Sequence, residues 1–237
     1  MSISSIFKHS AILSDIRHLV FPQKCLACNS ELAGAESTIC SLCTTNFTET
    51  NFHLSEEPTV MDKIFWGRID IHQTFALFFF EKGKTAQKIL FQLKYKDNQE
   101  VGHHFGREMG KRLQLNSAFE DVDALIPVPL HPKKEFLRGY NQSEALTKGV
   151  SEELGVPMDT SSVRRVKHGA SQTKKARFER WSSIQSTFRV NKAIRKYKHV
   201  VLIDDVITTG STIEVIATAI RKQHPDVKIS VATLAIT

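Results

Sequence analysis

Two adjacent carboxylates, Asp204 and Asp205, are followed three residues later by the turn Thr208-Thr209-Gly210-Ser211-Thr212. Neighbouring acids can orient hydroxyl groups, share a divalent cation or take up a proton. A small hydroxyl-rich turn that leads into a helix offers backbone N–H groups and side-chain hydroxyls to an anion. Ser211 and Glu214 have capping-box spacing, which puts the helix start at this turn. Two rival phosphate motifs are excluded: Gly210 is followed by Ser211 where a Walker A loop needs Gly-Lys, and no G-x-G-x-x-G occurs in the chain.

The second set of chemically capable residues is Cys25-x2-Cys28 and Cys40-x2-Cys43, all four cysteines of the chain, with eleven residues between the pairs. Each CxxC turn can aim two thiolates at one ion, and tetrahedral zinc accepts four. Ala33-Gly34-Ala35 supplies a compact turn between the knuckles. The alternatives are a disulfide pair, a redox CxxC or four buried thiols. A reducing compartment disfavours disulfides, and a redox CxxC belongs at a helix start in a βαβ unit. The reading is structural Zn2+ on Cys25, Cys28, Cys40 and Cys43, with no open catalytic position.

The elements that must position these groups can be read from hydrophobic patterning. Val200 to Ile203 is a β-branched and aliphatic run, the pattern of a strand buried on both faces in a parallel sheet. The acids then fall at its carboxyl end, where open α/β sheets bind ligands. Further strands are expected at Thr74–Phe80, Asp123–Ile126, Val163–Val166, Phe188–Val190 and Val227–Ile236. Helices are expected over 5–20, over Ile89 to about Tyr95, over Gln99–Leu115 (with Val101, Phe105, Met109 and Leu113 at four-residue steps), over Gln142–Leu154 capped by Gly155, and after Ser211. His103 and His104 on the Gln99 helix are expected to be solvated or packed. His131 to Gln142 reads as a basic loop, and Lys167 to Arg180 as a second, more polar one with a helical turn at Phe178–Ser183. Residues 46–73 read as a connector with little regular structure beyond one turn of helix. The alternation of strands and helices from Thr74 onward implies a mainly parallel central sheet flanked by helices.

A chain of 237 residues, 41% hydrophobic and 24% charged, suits one α/β domain plus a small module. Its net charge of +7 points to anionic partners. The longest aromatic-apolar run, Phe75 to Phe80, falls far short of the roughly 20 residues needed to span a bilayer. The N-terminal apolar positions are broken by Asp15, Arg17 and His18, so no membrane insertion and a cytoplasmic location are expected.

The stretch Val200–Thr212 resembles the phosphoribosyl-pyrophosphate (PRPP) motif of type I phosphoribosyltransferases. The paired CxxC knuckles, Pro127-Val128-Pro129-Leu130, Arg138-Gly139-Tyr140-Asn141-Gln142, Arg164-Arg165 and Gln172-Thr173 extend the resemblance to the ComF/GntX family, and Lys94-Tyr95-Lys96 fits its Lys-rich stretch. The resemblance implies a type I phosphoribosyltransferase fold with a small N-terminal zinc-ribbon-like module. The divisions would be 1–50 (helix and four-cysteine zinc module), 51–73 (connector) and 74–237 (phosphoribosyltransferase-like domain).

By position, Thr208, Thr209, Gly210, Ser211 and Thr212 would cradle the ribose 5′-phosphate. Asp204 and Asp205 would hold the ribose hydroxyls, directly or through Mg2+, and one of them could accept a proton. Leu130 and His131 backbone groups would meet the pyrophosphate, with Arg138 or Lys174, Lys175 and Arg177 closing over it; Arg164 and Arg165 could be pyrophosphate ligands or solvated strand ends. The implied reaction is transfer of phosphoribosyl to an unidentified nitrogen nucleophile with release of pyrophosphate. Several family members are linked to DNA uptake in natural competence or to sugar metabolism. The competing reading is therefore a non-catalytic PRPP sensor or single-stranded-DNA-binding accessory that works with DNA-uptake proteins.

Overall fold

The computed structural model describes residues 23–32, 38–95, 98–166 and 187–237. The helix expected over 5–20, the Ala33–Ala35 turn, Lys96 and the loop carrying Gln172, Thr173, Lys174, Lys175 and Arg177 lie outside the described residues, as does the helical turn at Phe178–Ser183.

The apolar run starting at Val200 forms the strand His199–Ile207, in which Val200 to Ile203 have no exposed surface. It runs parallel to Lys228–Ile236 on one side and to Ala124–Pro127 on the other. Lys228–Ile236 also pairs in parallel with Thr74–Phe79. Numbered along the chain, these are β1 (Thr74–Phe79), β2 (Ala124–Pro127), β5 (His199–Ile207) and β6 (Lys228–Ile236), in spatial order β1-β6-β5-β2. The two central strands are the longest, and Val200 to Ile203 of one and Ile229 to Ile236 of the other are buried throughout, as packing on both faces requires. Pro127 closes β2 without interrupting a ladder, because the Val128 N–H resumes pairing with the Ile203 carbonyl at 2.9 Å. The remaining strands, β3 (Val163–Arg165) and β4 (Phe188–Val190), form a separate antiparallel pair.

Helices cover the sheet. The short α1 (Ser41–Thr45) belongs to the cysteine module. Then follow α2 (Val60–Lys63), α3 (Thr85–Tyr95), α4 (Gln99–Leu113), α5 (Pro132–Arg138), α6 (Gln142–Leu154) and α7 (Ser211–Gln223). Val101, Phe105, Met109 and Leu113 of α4 are all buried, as their spacing requires. Gly155, at φ +67°, caps α6.

Three expectations are corrected. The segment after His131 is not a loop throughout, since Pro132–Arg138 is helical. Pro132 stands in its first turn, the His131 ring nitrogen accepts from the Lys133 N–H at 3.1 Å, and Gly139 ends the helix at φ +78°. No residue of α5 is buried, so it carries no hydrophobic period to read.

Residues 46–73 contain the expected turn of helix at α2, Val60–Lys63, and are otherwise more ordered than a plain connector. Glu49 bridges Phe78 of β1, Thr59 and Asp62 form a capping box on α2, and Met61 and Phe65 are buried. Finally, Ser211 and Glu214 form no capping box. Gly210 is the N-cap with no side-chain bond, and Glu214 pairs elsewhere.

Helices α4 and α6 meet through glycine. Gly102, Gly106 and Gly110 line α4 at four-residue steps against α6. A Cβ on Gly106 would stand 2.1 Å from the Leu146 carbonyl oxygen, and one on Gly149 2.2 Å from that of His103. Replacing a helical glycine with alanine ordinarily gains about 1 kcal/mol of propensity. Here the neighbour is backbone, so the helices must separate, at about 1–3 kcal/mol or more. Gly106→Ala should therefore lower the urea midpoint; a raised or unchanged midpoint would show that the helices part easily.

Candidate functional site

The acid pair sits where β5 leaves the buried sheet. Asp204 still lies in register with Thr233 of β6, and the strand continues to Ile207 before the turn. Three chain segments meet here: the end of β5, the loop after β2 and the start of α6. The last two are joined by the Asn141 side-chain amide, which donates to the Val128 carbonyl at 3.2 Å.

Asp204 accepts hydrogen bonds from the Ser143 hydroxyl at 3.0 Å and from the Asp205 N–H at 2.9 Å. It retains partial exposure, yet protein crowds it closely. Burial first, and the Asp205 charge second, push its carboxyl up to about 7, against the pull of Ser143 and Lys94. Asp205 is paired differently, with Lys94 Nζ of α3 at 2.9 Å from its Oδ2. The adjacent acids therefore have distinct environments. One can exchange a proton near neutrality, while the other is held against a cation.

Arg165 distinguishes itself from its neighbour. Arg164 is exposed, whereas Arg165 is part-buried over the Phe188 ring at 5.2 Å, and its Nε lacks a partner among the described residues. Burial lowers its pKa, and the Asp204 charge opposes that shift. Arg138 donates to the Gln142 side-chain carbonyl oxygen at 2.7 Å, one residue from Ser143, and lies 5.9 Å from the Tyr95 ring centre. Leu130 and His131 lie between β2 and α5.

The turn is built on glycine for two reasons. Gly210 adopts φ +69°, and a Cβ there would lie 2.8 Å from Ile64 Cγ2 and 2.9 Å from the Phe65 ring. Thr208, Thr209, Ser211 and Thr212 are exposed around it, and the Thr209 and Ser211 hydroxyls are 2.9 Å apart. The structure thus brings Asp204, Asp205 and the turn together on one strand-to-helix passage. It adds Lys94, Ser143 and Arg165, and it places Arg68 behind the turn. Of these, Lys94 stood in a quoted motif and Arg165 in an undecided pair. Nothing in the sequence signalled Ser143 or Arg68.

At the other end of the chain the four cysteine sulfurs lie within 4.8 Å of one another. Cys28 and Cys40 Sγ are 3.7 Å apart, close to the roughly 3.8 Å edge of a tetrahedron built from 2.3 Å zinc–sulfur bonds. The Cys40 N–H donates to Cys25 Sγ at 3.3 Å and joins the two knuckles. The donor set fits a closed four-thiolate metal site. The Thr85 hydroxyl bonds the Cys43 carbonyl at 3.0 Å and ties this module to the start of α3. No helix among the described residues is long and apolar enough to cross a membrane.

Residues 141–236 match the family model described as phosphoribosyl transferase domain. The chain is 39% identical to competence protein F of Haemophilus influenzae over 102 residues, 42% of this chain and 44% of that protein. It is 25% identical to the DNA utilization protein YhgH of Escherichia coli K12 over 214 residues, covering 84% of this chain and 91% of that protein. The alignments with the first curated relatives span about half of their length. Among solved structures, a glutamine PRPP amidotransferase from B. subtilis superposes over 60% of this chain and 30% of its own, at 20% identity and a TM-score of 0.42.

The raised Asp204 pKa has a signed consequence. The folded state holds this proton at pH values where the unfolded chain, with its ordinary 3.8, has lost it. Stability from this group is complete below about pH 4 and declines as pH rises toward 7. Asp204→Asn should therefore raise the melting temperature relative to wild type more at pH 8 than at pH 5. Equal differences at the two pH values would count against the assigned environment.

Proposed function

Taking as premise a chain that carries a phosphoribosyl transferase domain and is homologous to competence protein F and YhgH, we propose that it binds PRPP and transfers the phosphoribosyl group to a nitrogen nucleophile, releasing pyrophosphate. The observation that carries this reading is the continuity of β5, the acid pair and the Gly210 turn within the matched domain.

In this reading the Thr208–Thr212 turn holds the 5′-phosphate with N–H groups and hydroxyls. Asp204 and Asp205 hold the ribose hydroxyls, and fixed orientation supplies much of the rate. The C1–oxygen bond to pyrophosphate breaks as the nitrogen–C1 bond forms. Asp204, with a pKa near neutrality, accepts the proton that the nucleophile loses. Arg165, Arg138 and the backbone at Leu130 and His131 would meet the departing pyrophosphate. Lys94 offsets the charge of Asp205. Mg2+ would be held by the acid pair and would offset charge on the pyrophosphate.

A link to DNA uptake follows from the relatives' names and belongs to the same proposal. One observation favours the accessory reading beside the enzymatic one. Phe136 and Leu137 of α5 are 88% and 80% exposed, Tyr95 and Phe91 of α3 are 65% and 51% exposed, and Arg138 lies over Tyr95. Exposed aromatic side chains on α3 and α5, with Arg138 over Tyr95 and with Lys133 and Lys134 on α5, are the residue types that non-specific single-strand binders use.

Pyrophosphate release during a screen of amines and nucleobases separates the readings. An enzyme releases it with some acceptor, and Asp204→Asn slows that release by about 10²–10⁴-fold. A sensor binds PRPP and releases none, while a nucleic-acid binder shows oligonucleotide affinity that falls steeply with salt. Gly210→Val should abolish PRPP binding by calorimetry, and wild-type affinity in that variant would sink the reading. We also assign structural zinc to Cys25, Cys28, Cys40 and Cys43. Metal analysis should find about one zinc per chain, and Cys43→Ser should remove it and lower the melting temperature. Purified protein free of zinc with unchanged melting would overturn that assignment.

A further inference from the structure

Arg68 reaches the turn from behind. Its Nη1 donates to the Thr209 carbonyl at 2.6 Å and to the Ile64 carbonyl at 2.9 Å. Its Nε donates to Glu214 Oε2 at 3.1 Å, and Nη2 reaches the same oxygen. Glu214 stands in the first turn of α7, and its side chain is 17% exposed.

Each contact bears on anion binding. The Thr209 carbonyl and the Gly210 N–H belong to one planar trans peptide, so they point in opposite directions. Arg68 draws the carbonyl toward Ile64 and Phe65, which fill the rear of Gly210. The Gly210 N–H is thereby directed to the open side, where Thr208, Thr209, Ser211 and Thr212 are exposed. A glycine at φ +69° lacks the side chain that would oppose a flip of this peptide. Such a flip would aim a carbonyl dipole at the ligand. Glu214 adds a like-charge problem, because its carboxylate lies in the helix turn that a phosphate would approach. The guanidinium turns that carboxylate aside and neutralises it.

We infer that Arg68 is a positioning residue for the phosphate cradle, fixing the Thr209–Gly210 peptide and cancelling the charge of Glu214 so that the turn accepts an anionic phosphoryl group. This rests on the PRPP reading and adds to it a residue outside the matched domain.

The test is calorimetric titration with ribose 5-phosphate of wild type, Arg68→Met, Glu214→Gln and the double variant, with melting temperatures taken in parallel. Arg68→Met should weaken binding about tenfold or more, the scale of one charge-assisted hydrogen bond. The double variant should recover part of the loss, because the carboxylate is gone while the peptide stays free. A purely structural role would leave the double variant no tighter than Arg68→Met, and that result overturns the inference. So does an Arg68→Met affinity within about twofold of wild type, which is below the value of such a bond. Should Arg68→Met fail to fold, Arg68→Lys carries the test. A single ammonium neutralises Glu214 but lacks the fork to hold the carbonyl as well. It should give an intermediate loss, and full wild-type affinity overturns the inference. Absence of ribose 5-phosphate binding in wild type overturns the PRPP reading and this inference together; wild-type binding with unchanged variants overturns this inference alone.

Discussion

Everything at this site follows from placing two adjacent carboxylates at the end of a strand that is buried on both faces. Charge is costly there unless it is answered locally. Asp205 is answered by Lys94 and Asp204 by the Ser143 hydroxyl and a backbone N–H, with Arg165 nearby. These partners come from α3, α6 and β3, so the acid pair dictates how three elements must approach β5. Tyr140 reinforces one of these approaches by donating to the Leu93 carbonyl, one residue before Lys94.

The turn that follows depends on what lies behind it. Residues 64–68 present apolar surface to Gly210 and a guanidinium to the peptide that precedes it. A segment with weak patterning therefore supports the most conformationally demanding residue of the site. Its own position is fixed by the capping box at Thr59 and Asp62 and by the Thr74 hydroxyl, which donates to Asp62 at 2.7 Å.

How much of this was legible in the sequence depended on the range of the interaction. The acid pair, the turn, β5 and the four-residue steps of α4 are local patterns, and each was readable. Gly155 was readable as a cap for the same reason. Helix α5 was not, because it buries nothing and so has no hydrophobic period. Arg68 lies 146 residues from Glu214, and no spacing rule reaches that far. The glycine stripe on α4 acquires meaning only when Gly149 of α6 faces it. Arg164 and Arg165 were equivalent as letters and became different once β3 turned one toward Asp204.

The strand order carries a further implication, about the time course of folding. Among the described strands β6 comes last in sequence, yet it lies between β1 and β5 and bonds to both. During synthesis, β1, β2 and β5 emerge first, and the central ladder stays open until residues 228–236 leave the ribosome. Pairing residue 74 with residue 231 closes a loop of well over half the chain, a high contact order that slows formation of the sheet. Until that moment one edge of β1 and one edge of β5 stay unpaired, and nascent chains are exposed to mispairing there. Arrival of the nine-residue β6 therefore joins β1 to β5, and with that the end of β5 is fixed in its working place.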